Sequence, residues 1–178
     1  MMKKLNLRYA AGLLVILAVV VIAYLSTQHG APSSAAGPVT WTSFNEGVAL
    51  AEHSHKKILV DVYTDWCSWC KKMDADVYTN PGVVKVLNDN FVAVKLNAES
   101  GNSLSFEGKA YTEAEFARQL GVTGYPTTLF FDTNSKPITD FTGYAEPERF
   151  ARVLDFVGRD YYKTTSFQQY MKTNPSLP

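Results

Sequence analysis

The distribution of apolar residues along the chain predicts alternating strands and helices. Two β-branched, mostly apolar runs, residues 58–64 and 91–97, are typical of buried central strands. Capping-box patterns at Ser43–Glu46 and Thr112–Glu115 predict the first turns of two helices. The predicted helices cover residues 43–53, 67–80, 81–88, 112–120 and 147–157, and two shorter strands cover 127–132 and 138–141.

The order of these elements predicts one folded α/β domain. A strand–helix–strand unit, followed by a hairpin and a helix, favours a three-layer α/β/α sandwich around a central mixed sheet. We expect this domain over residues 39–158, with a polar Gly/Ser-rich loop at 98–111. Residues 28–38 are rich in Ser, Ala, Gly and Pro and predict a flexible linker. Residues 159–178 form an aromatic C-terminal extension that has room for one more short helix.

The N-terminal residues 1–27 predict export of the domain. Residues 10–25 are sixteen consecutive residues without a charged or strongly polar side chain, and they follow three basic residues, Lys3, Lys4 and Arg8. As a helix this segment would be roughly 24 Å long, against about 30 Å for the hydrocarbon core of a bilayer. It is either a signal peptide cleaved near Ser34–Ala36 or a retained membrane anchor. The length of the run favours the anchor, with the domain outside the cytoplasm.

The charge distribution argues against nucleic acid as a partner. Net charge is zero, but residues 1–30 contain no acidic residue. Beyond them the chain has 14 basic and 17 acidic residues, a mildly acidic balance without a basic stripe. Proteins that bind nucleic acid through its phosphates need the opposite distribution.

Two cysteines, Cys67 and Cys70, are the chain's whole complement, and they follow directly on a predicted strand. If a helix begins at Cys67, its sulfur lies among unpaired backbone N–H groups, where a thiolate is stabilised. Cys70, one turn later, can attack a mixed disulfide formed at Cys67. A CxxC pair alone could also be incidental or half of a metal site. Zinc needs four ligands, however, and His53 and His55 are more simply surface residues.

The surrounding residues resemble the thioredoxin superfamily. Trp-Cys-x-x-Cys-Lys after a strand is its first mark, and Asp61, six residues before Cys67, matches its buried acid. The resemblance implies that Asp61 accepts a proton from Cys70 and that Lys95 adjusts the pKa of Asp61. It also implies a cis peptide bond before Pro126, with Tyr125 pairing with the backbone of an extended substrate. The predicted fold is therefore a thioredoxin-like sandwich preceded by an N-terminal apolar helix.

The residues around the cysteines favour reduction of disulfides. Between them stands Ser68-Trp69, without the histidine that strongly oxidising relatives place there, and Asp65 adds a negative charge that opposes thiolate formation. Trp66 and Trp69 are expected to shape the surface on which substrates dock. These features resemble the exported reductase branch of the superfamily, which includes the C-terminal domain of transmembrane thiol:disulfide interchange proteins and the thioredoxins of sulfur-oxidation operons.

The expected activity is that of an exported protein-disulfide reductase. It would use its own Cys67–Cys70 disulfide and no other cofactor or metal, and a membrane protein would supply electrons. Two alternatives remain at this point. One is a disulfide oxidase or isomerase of secreted proteins. The other is a copper-handling metallochaperone that uses the two cysteines, Met73 and a histidine as soft ligands.

Overall fold

A five-stranded mixed sheet organises residues 37–174, the part of the chain that the computed structural model describes. In chain order the strands are β1 (Trp41–Thr42), β2 (Lys57–Tyr63), β3 (Phe91–Asn97), β4 (Ser103–Phe106), β5 (Lys109–Thr112), β6 (Thr127–Phe131) and β7 (Pro137–Thr142). The main sheet has the order β1-β3-β2-β6-β7. Strands β1, β3 and β2 are parallel, whereas β6 and β7 run antiparallel to their neighbours.

Six α-helices surround the strands in the described part of the chain. They are α1 (Phe44–Ser54), α2 (Ser68–Lys72), α3 (Pro81–Asn90), α4 (Glu113–Gln119), α5 (Pro147–Gly158) and α6 (Phe167–Thr173). Helix α2 continues directly into a π-helical turn, Met73–Val77. Helix α3 begins where the sequence predicts a break, because the Asn80 side chain accepts hydrogen bonds from the first turn and Pro81 occupies its first position.

The helices cover both faces of the sheet, which confirms the predicted three-layer sandwich. The π-helical turn, α3 and α5 bury their apolar residues on one face, and α1, α4 and the β4–β5 hairpin bury theirs on the other. Alternation along β2 places Leu59 and Asp61 on the first face, whereas Val60 and Val62 point to the second. Asp61 therefore lies on the side of the sheet that receives the helical segment after Cys67.

The structure corrects the expectation of a loop over residues 98–111. Strands β4 and β5 form an antiparallel hairpin in this region. Leu104 is buried, and the ring of Phe106 packs against Phe44 and Phe116. These two apolar side chains anchor the hairpin on the domain, although its average composition is polar. The two-residue strand β1, which pairs with β3, was also absent from the prediction.

The predicted signal peptide or anchor, residues 10–25, lies outside the described residues, as does most of the predicted linker. Among residues 37–174, none of the helices has the length and apolar character needed to cross a bilayer.

The aromatic C-terminal extension packs on α5. The Tyr170 ring is buried and contacts the rings of Phe156 and Tyr161. Its hydroxyl donates a 2.7 Å hydrogen bond to Oδ2 of the buried Asp155, and Arg159 pairs with the other oxygen of that carboxylate at 2.9 Å. Burial and the Asp155 carboxylate raise the pKa of Tyr170, so its hydroxyl stays protonated and can donate.

Replacing Tyr170 by Phe tests whether this contact stabilises the domain. Tyr170→Phe leaves a buried carboxylate oxygen without its donor, which should lower the free energy of unfolding by about 1–3 kcal/mol. Tyr111→Phe is the control, because that half-buried ring also packs on a phenylalanine. Urea unfolding measures both variants. Equal stability of Tyr170→Phe and the wild type would contradict a stabilising role for this hydrogen bond.

Candidate active site

The two cysteines form a disulfide at the start of α2. Cys67 is the N-cap residue of the helix, and its Sγ atom accepts a 3.0 Å hydrogen bond from the backbone N–H of Cys70. The S–S distance is 2.08 Å and the two Cα atoms are 5.3 Å apart. Both residues are buried. The sulfur that would become the Cys67 thiolate on reduction thus already faces a helical N–H donor, which favours its ionised form.

The peptide bond between Tyr125 and Pro126 is cis, as the sequence resemblance implies. The loop that contains it is held on two sides. The N–H of Gly143 donates to the Pro126 carbonyl at 2.8 Å, and the Thr127 hydroxyl donates to the Gly124 carbonyl at 2.8 Å. Gly143 has φ +95, a conformation that suits glycine and that lets β7 end beside this loop.

Exposed aromatic side chains flank the disulfide. Trp66 and Trp69 are 66% and 55% exposed, which is unusual for large apolar side chains. The Trp66 ring meets the Tyr125 ring edge to face, with centroids 5.9 Å apart, and this contact joins the cysteine segment to the cis-proline loop. Trp69 packs on Tyr144 with centroids 5.4 Å apart. Four aromatic rings from three chain segments therefore form an apolar surface around the cysteine pair.

Asp61 and Lys95 form an ion pair within the sheet. They are directly opposite each other on the parallel strands β2 and β3, and both lie on the face that carries the π-helical turn. Asp61 is 1% exposed, and its Oδ2 atom accepts a 2.5 Å hydrogen bond from Lys95 Nζ. Its Oδ1 atom is buried and makes no hydrogen bond with residues 37–174. Oδ1 is thus the carboxylate oxygen that Lys95 leaves unpaired within the described residues, and the Tyr78 hydroxyl is near enough to act on the same carboxylate.

Burial dominates the electrostatics of this acid. Loss of solvent raises the pKa of Asp61, and the attraction of Lys95 offsets only part of that effect. Burial also raises the pKa of Tyr78, reinforced by the nearby Asp61 carboxylate. Burial alone would lower the pKa of Lys95, but Asp61 and Asp74 outweigh it and the pKa rises. The lysine therefore stays charged, whereas Asp61 exchanges its proton at a higher pH than an exposed aspartate does.

Among the contacts that the sequence did not predict, three involve Lys95, Trp66 and Trp69. Asp74 forms a second ion pair with Lys95, and Glu99 accepts a 2.9 Å hydrogen bond from the indole N–H of Trp66. Tyr144 is the third, through its contact with Trp69. Asp74 could have been found, because it lies one helical turn after Cys70. Glu99 and Tyr144 follow strand ends, and only the folded chain brings them to the tryptophans.

The histidines considered as possible ligands lie at the end of α1, at His53 and the C-cap residue His55. Within residues 37–174, no three His, Cys, Asp or Glu side chains are placed so that they could share a metal ion.

Comparison with known proteins assigns the domain. Residues 44–158 match the family of thioredoxin-like domains. The thiol:disulfide interchange protein DsbD of Photorhabdus laumondii is 31% identical over 103 residues, which are 57% of this chain and 16% of that protein. DsbD of Escherichia coli K12 is 31% identical over 108 residues, 60% of this chain and 18% of that protein. The chain thus matches only about a sixth of the length of these relatives.

Solved structures share the same fold. A thioredoxin-fold protein from Helicobacter pylori superimposes with a TM-score of 0.58 and 18% identity, over 83% of this chain and 96% of that one. A thioredoxin from Thermus thermophilus gives a TM-score of 0.55 and 24% identity, over 67% and 86% of the two chains. Since the family match covers more than half of the sequence and includes both cysteines, the chain belongs to the thioredoxin-like domain family.

Proposed function

We propose that this protein is an exported, membrane-tethered thiol:disulfide oxidoreductase that reduces disulfide bonds of proteins outside the cytoplasm. The observation that carries this proposal is the Cys67–Cys70 disulfide at a helix start, together with the buried Asp61 carboxylate and the oxygen that Lys95 leaves unpaired. The name of the DsbD relatives, thiol:disulfide interchange protein, supports the same chemistry.

The reaction begins from the reduced dithiol. The Cys67 thiolate attacks one sulfur of a substrate disulfide, which breaks that S–S bond, forms a mixed disulfide and releases one substrate thiolate. Cys70 then gives its proton to Asp61, and its thiolate attacks the Cys67 sulfur. This step forms the Cys67–Cys70 disulfide and releases the second substrate thiolate. Two electrons pass from the enzyme to the substrate, and the substrate thiolates take up protons.

The aromatic surface would bind the substrate chain. Trp66, Trp69, Tyr125 and Tyr144 offer apolar area beside the sulfur atoms, and Glu99 fixes the orientation of Trp66. Pro126 has no N–H, so the backbone groups of Tyr125 are the ones available to an extended substrate segment. Rigid aromatic side chains lose little conformational entropy on binding, which suits a surface that must accept varied proteins.

Acidic groups near the cysteines support the reducing direction. Asp65 precedes the pair, and its carboxylate accepts a 3.3 Å hydrogen bond from Asn97. No histidine stands between the cysteines, and Asp74, further along the helical segment, is already paired with Lys95. Negative charge destabilises the Cys67 thiolate, and a less stable reduced form gives up its electrons more readily.

Export and electron supply are the remaining parts of the proposal. The apolar segment at residues 10–25 and the basic residues before it support a domain held at the outer side of the inner membrane. Turnover there requires re-reduction of the Cys67–Cys70 disulfide. A membrane protein that carries electrons across the bilayer is the proposed donor.

Trapping of the mixed disulfide tests the mechanism directly. In Cys70→Ser the second step cannot occur, so the variant should accumulate adducts in which Cys67 is joined to a substrate protein. Reduced full-length protein is mixed with insulin as a disulfide substrate, and adducts are identified by non-reducing electrophoresis and mass spectrometry. Cys67→Ser is the control and should form none. Absence of adducts with Cys70→Ser, together with retained activity of Cys67→Ser, would rule out this mechanism.

The pH dependence of stability tests the electrostatic state of Asp61. Its pKa is higher in the folded protein than in the unfolded chain, so stability falls as the pH rises above the unfolded aspartate pKa, and the full loss is reached above the folded pKa. A tenfold change in the acid constant corresponds to about 1.4 kcal/mol. Asp61→Asn removes this effect and should be more stable than the wild type at pH 8. Below the ordinary aspartate pKa of 3.8 the carboxyl is protonated in both the folded and the unfolded protein, and the difference should disappear.

Urea unfolding of the oxidised proteins at pH 8 and at low pH measures this difference. Asp89→Asn is the matched control, because Asp89 is exposed on α3 and pairs with the exposed Lys85. Its effect should stay within about 0.5 kcal/mol at both pH values. A wild type that is more stable than Asp61→Asn at pH 8 would show that Lys95 more than compensates the burial of Asp61.

A further inference from the structure

The Lys95 ammonium lies in an aromatic cage. Its Nζ atom is 4.6 Å from the ring centroid of Trp41, 5.1 Å from that of Tyr63 and 5.4 Å from that of Tyr78. These three rings, which we call the Lys95 cage, surround the same ammonium that pairs with Asp61 and Asp74. A cation within about 6 Å of an aromatic ring centroid is attracted by the negative face of that ring.

The cage is assembled from three distant parts of the chain. Trp41 comes from the edge strand β1, where it pairs with Ala93, two residues before Lys95 on β3. Tyr63 is the last residue of β2, two residues after Asp61 on the same face of the sheet. Tyr78 follows the π-helical turn, and the Trp41 ring meets its ring edge to face at 4.8 Å. Trp41 thus contacts both the lysine and the tyrosine nearest to Asp61.

The cage restricts where the ammonium can go. Lysine has a long, flexible side chain, and an ammonium offers only three N–H donors. Asp61 is buried, whereas the Asp74 side chain is 48% exposed and lies on the solvent side of the pair. Without the Lys95 cage, the ammonium could move outward to Asp74 and water and lose its contact with Asp61. All three rings lie within 5.4 Å of the ammonium, and the Lys95 side chain is only 20% exposed.

We propose that Trp41 is a positioning residue of the redox centre, whose indole face holds the Lys95 ammonium against Asp61 during proton transfer. This inference rests on the proposed role of Asp61 as the proton acceptor for Cys70. It extends that role to a residue on the edge strand, which acts through Lys95 and is far from both cysteines in the sequence.

The groups that can influence Asp61 come from every element around it. Lys95 faces it from β3, Asp74 and Tyr78 from the π-helical turn and the residue after it, and Thr128 from the opposing position on β6. Tyr63 lies on its own strand, and Asp65 and Glu113 act on Tyr63. The Cys70 thiol joins these groups when the disulfide is reduced. Oxidised protein therefore isolates the effect of the cage from that of the thiol.

Replacement of Trp41 by Leu or Phe separates the aromatic face from simple packing. Trp41→Leu keeps an apolar side chain but removes the ring, so Lys95 is held less firmly and favours the Asp61 carboxylate less. The titration midpoint of Asp61 should then rise by about half a pH unit. Trp41→Phe keeps an aromatic face, and its midpoint should stay closer to that of the wild type. The pH profile for single-turnover reduction of insulin should move in the same direction.

The midpoint is read from the Asp61 side-chain carbon by NMR on oxidised full-length protein in detergent micelles, with Asp61→Asn to assign the signal. Phe156→Leu, in the distant C-terminal aromatic cluster, is the control for lost stability and should leave the midpoint unchanged. A Trp41→Leu midpoint equal to that of the wild type would overturn the proposal. So would equal midpoint changes in the Leu and Phe variants, because they would point to volume and not to the aromatic face.

A second test uses the wild-type protein alone, so its result does not depend on whether a variant folds. Protons on the carbon next to the Lys95 ammonium should resonate upfield of their random-coil position, because they lie over aromatic rings. A random-coil resonance would overturn the proposal.

Failure of the proposed function and failure of this inference can be told apart. If the wild type reduces no disulfide at all, the proposed function fails. If the enzyme is active but the Asp61 titration midpoint is unchanged in the Trp41 variants, only the role of Trp41 is contradicted.

Discussion

A carboxylate buried in the central strand of a sheet is the constraint on which this site depends. Asp61 has apolar neighbours along β2 and is almost completely removed from solvent, an arrangement that is unfavourable for a charged group. Lys95 from the neighbouring strand forms an ion pair with this carboxylate. The Lys95 ammonium is itself held by Asp74 and three aromatic rings. The compensation is partial, since the pKa of Asp61 remains raised. Asp61 therefore holds its proton to a higher pH than an exposed aspartate does, as the proposed role of a proton acceptor requires.

The rest of the site is arranged above this acid. The face of the sheet that carries Asp61 and Lys95 also carries the π-helical turn, which continues the helix that starts at Cys67. The cis-proline loop is joined to the cysteine segment through the contact between Trp66 and Tyr125, and to the end of β7 through Gly143. Exposed aromatic rings thus flank the cysteine pair. The buried Asp61–Lys95 ion pair lies on the face of the sheet that the following helical segment covers.

Strong local patterns in the sequence were sufficient to predict the fold. The apolar runs of β2 and β3 and the caps of α3 and α4 each have a direct physical meaning, and the structure contains them. Asp61, Lys95 and Pro126 were instead selected through the resemblance to the thioredoxin superfamily. The β4–β5 hairpin was missed because Leu104 and Phe106 pack in a cluster with residues such as Phe44 and Phe131, far away in the chain. Trp41 was missed for the same reason, since a two-residue edge strand has no periodicity to recognise. Such contacts are set by tertiary packing, which a single sequence does not display.

The central claim is that this pair donates electrons to substrate disulfides. The reduction potential of the Cys67–Cys70 couple, measured by equilibration of the full-length protein with glutathione or dithiothreitol buffers, tests it most directly. Acidic neighbours and the absence of a stabilising histidine between the cysteines predict a potential close to that of thioredoxin, about −270 mV. A potential near about −120 mV, in the range of strong disulfide oxidants, would contradict the account and assign the protein to the formation of disulfides.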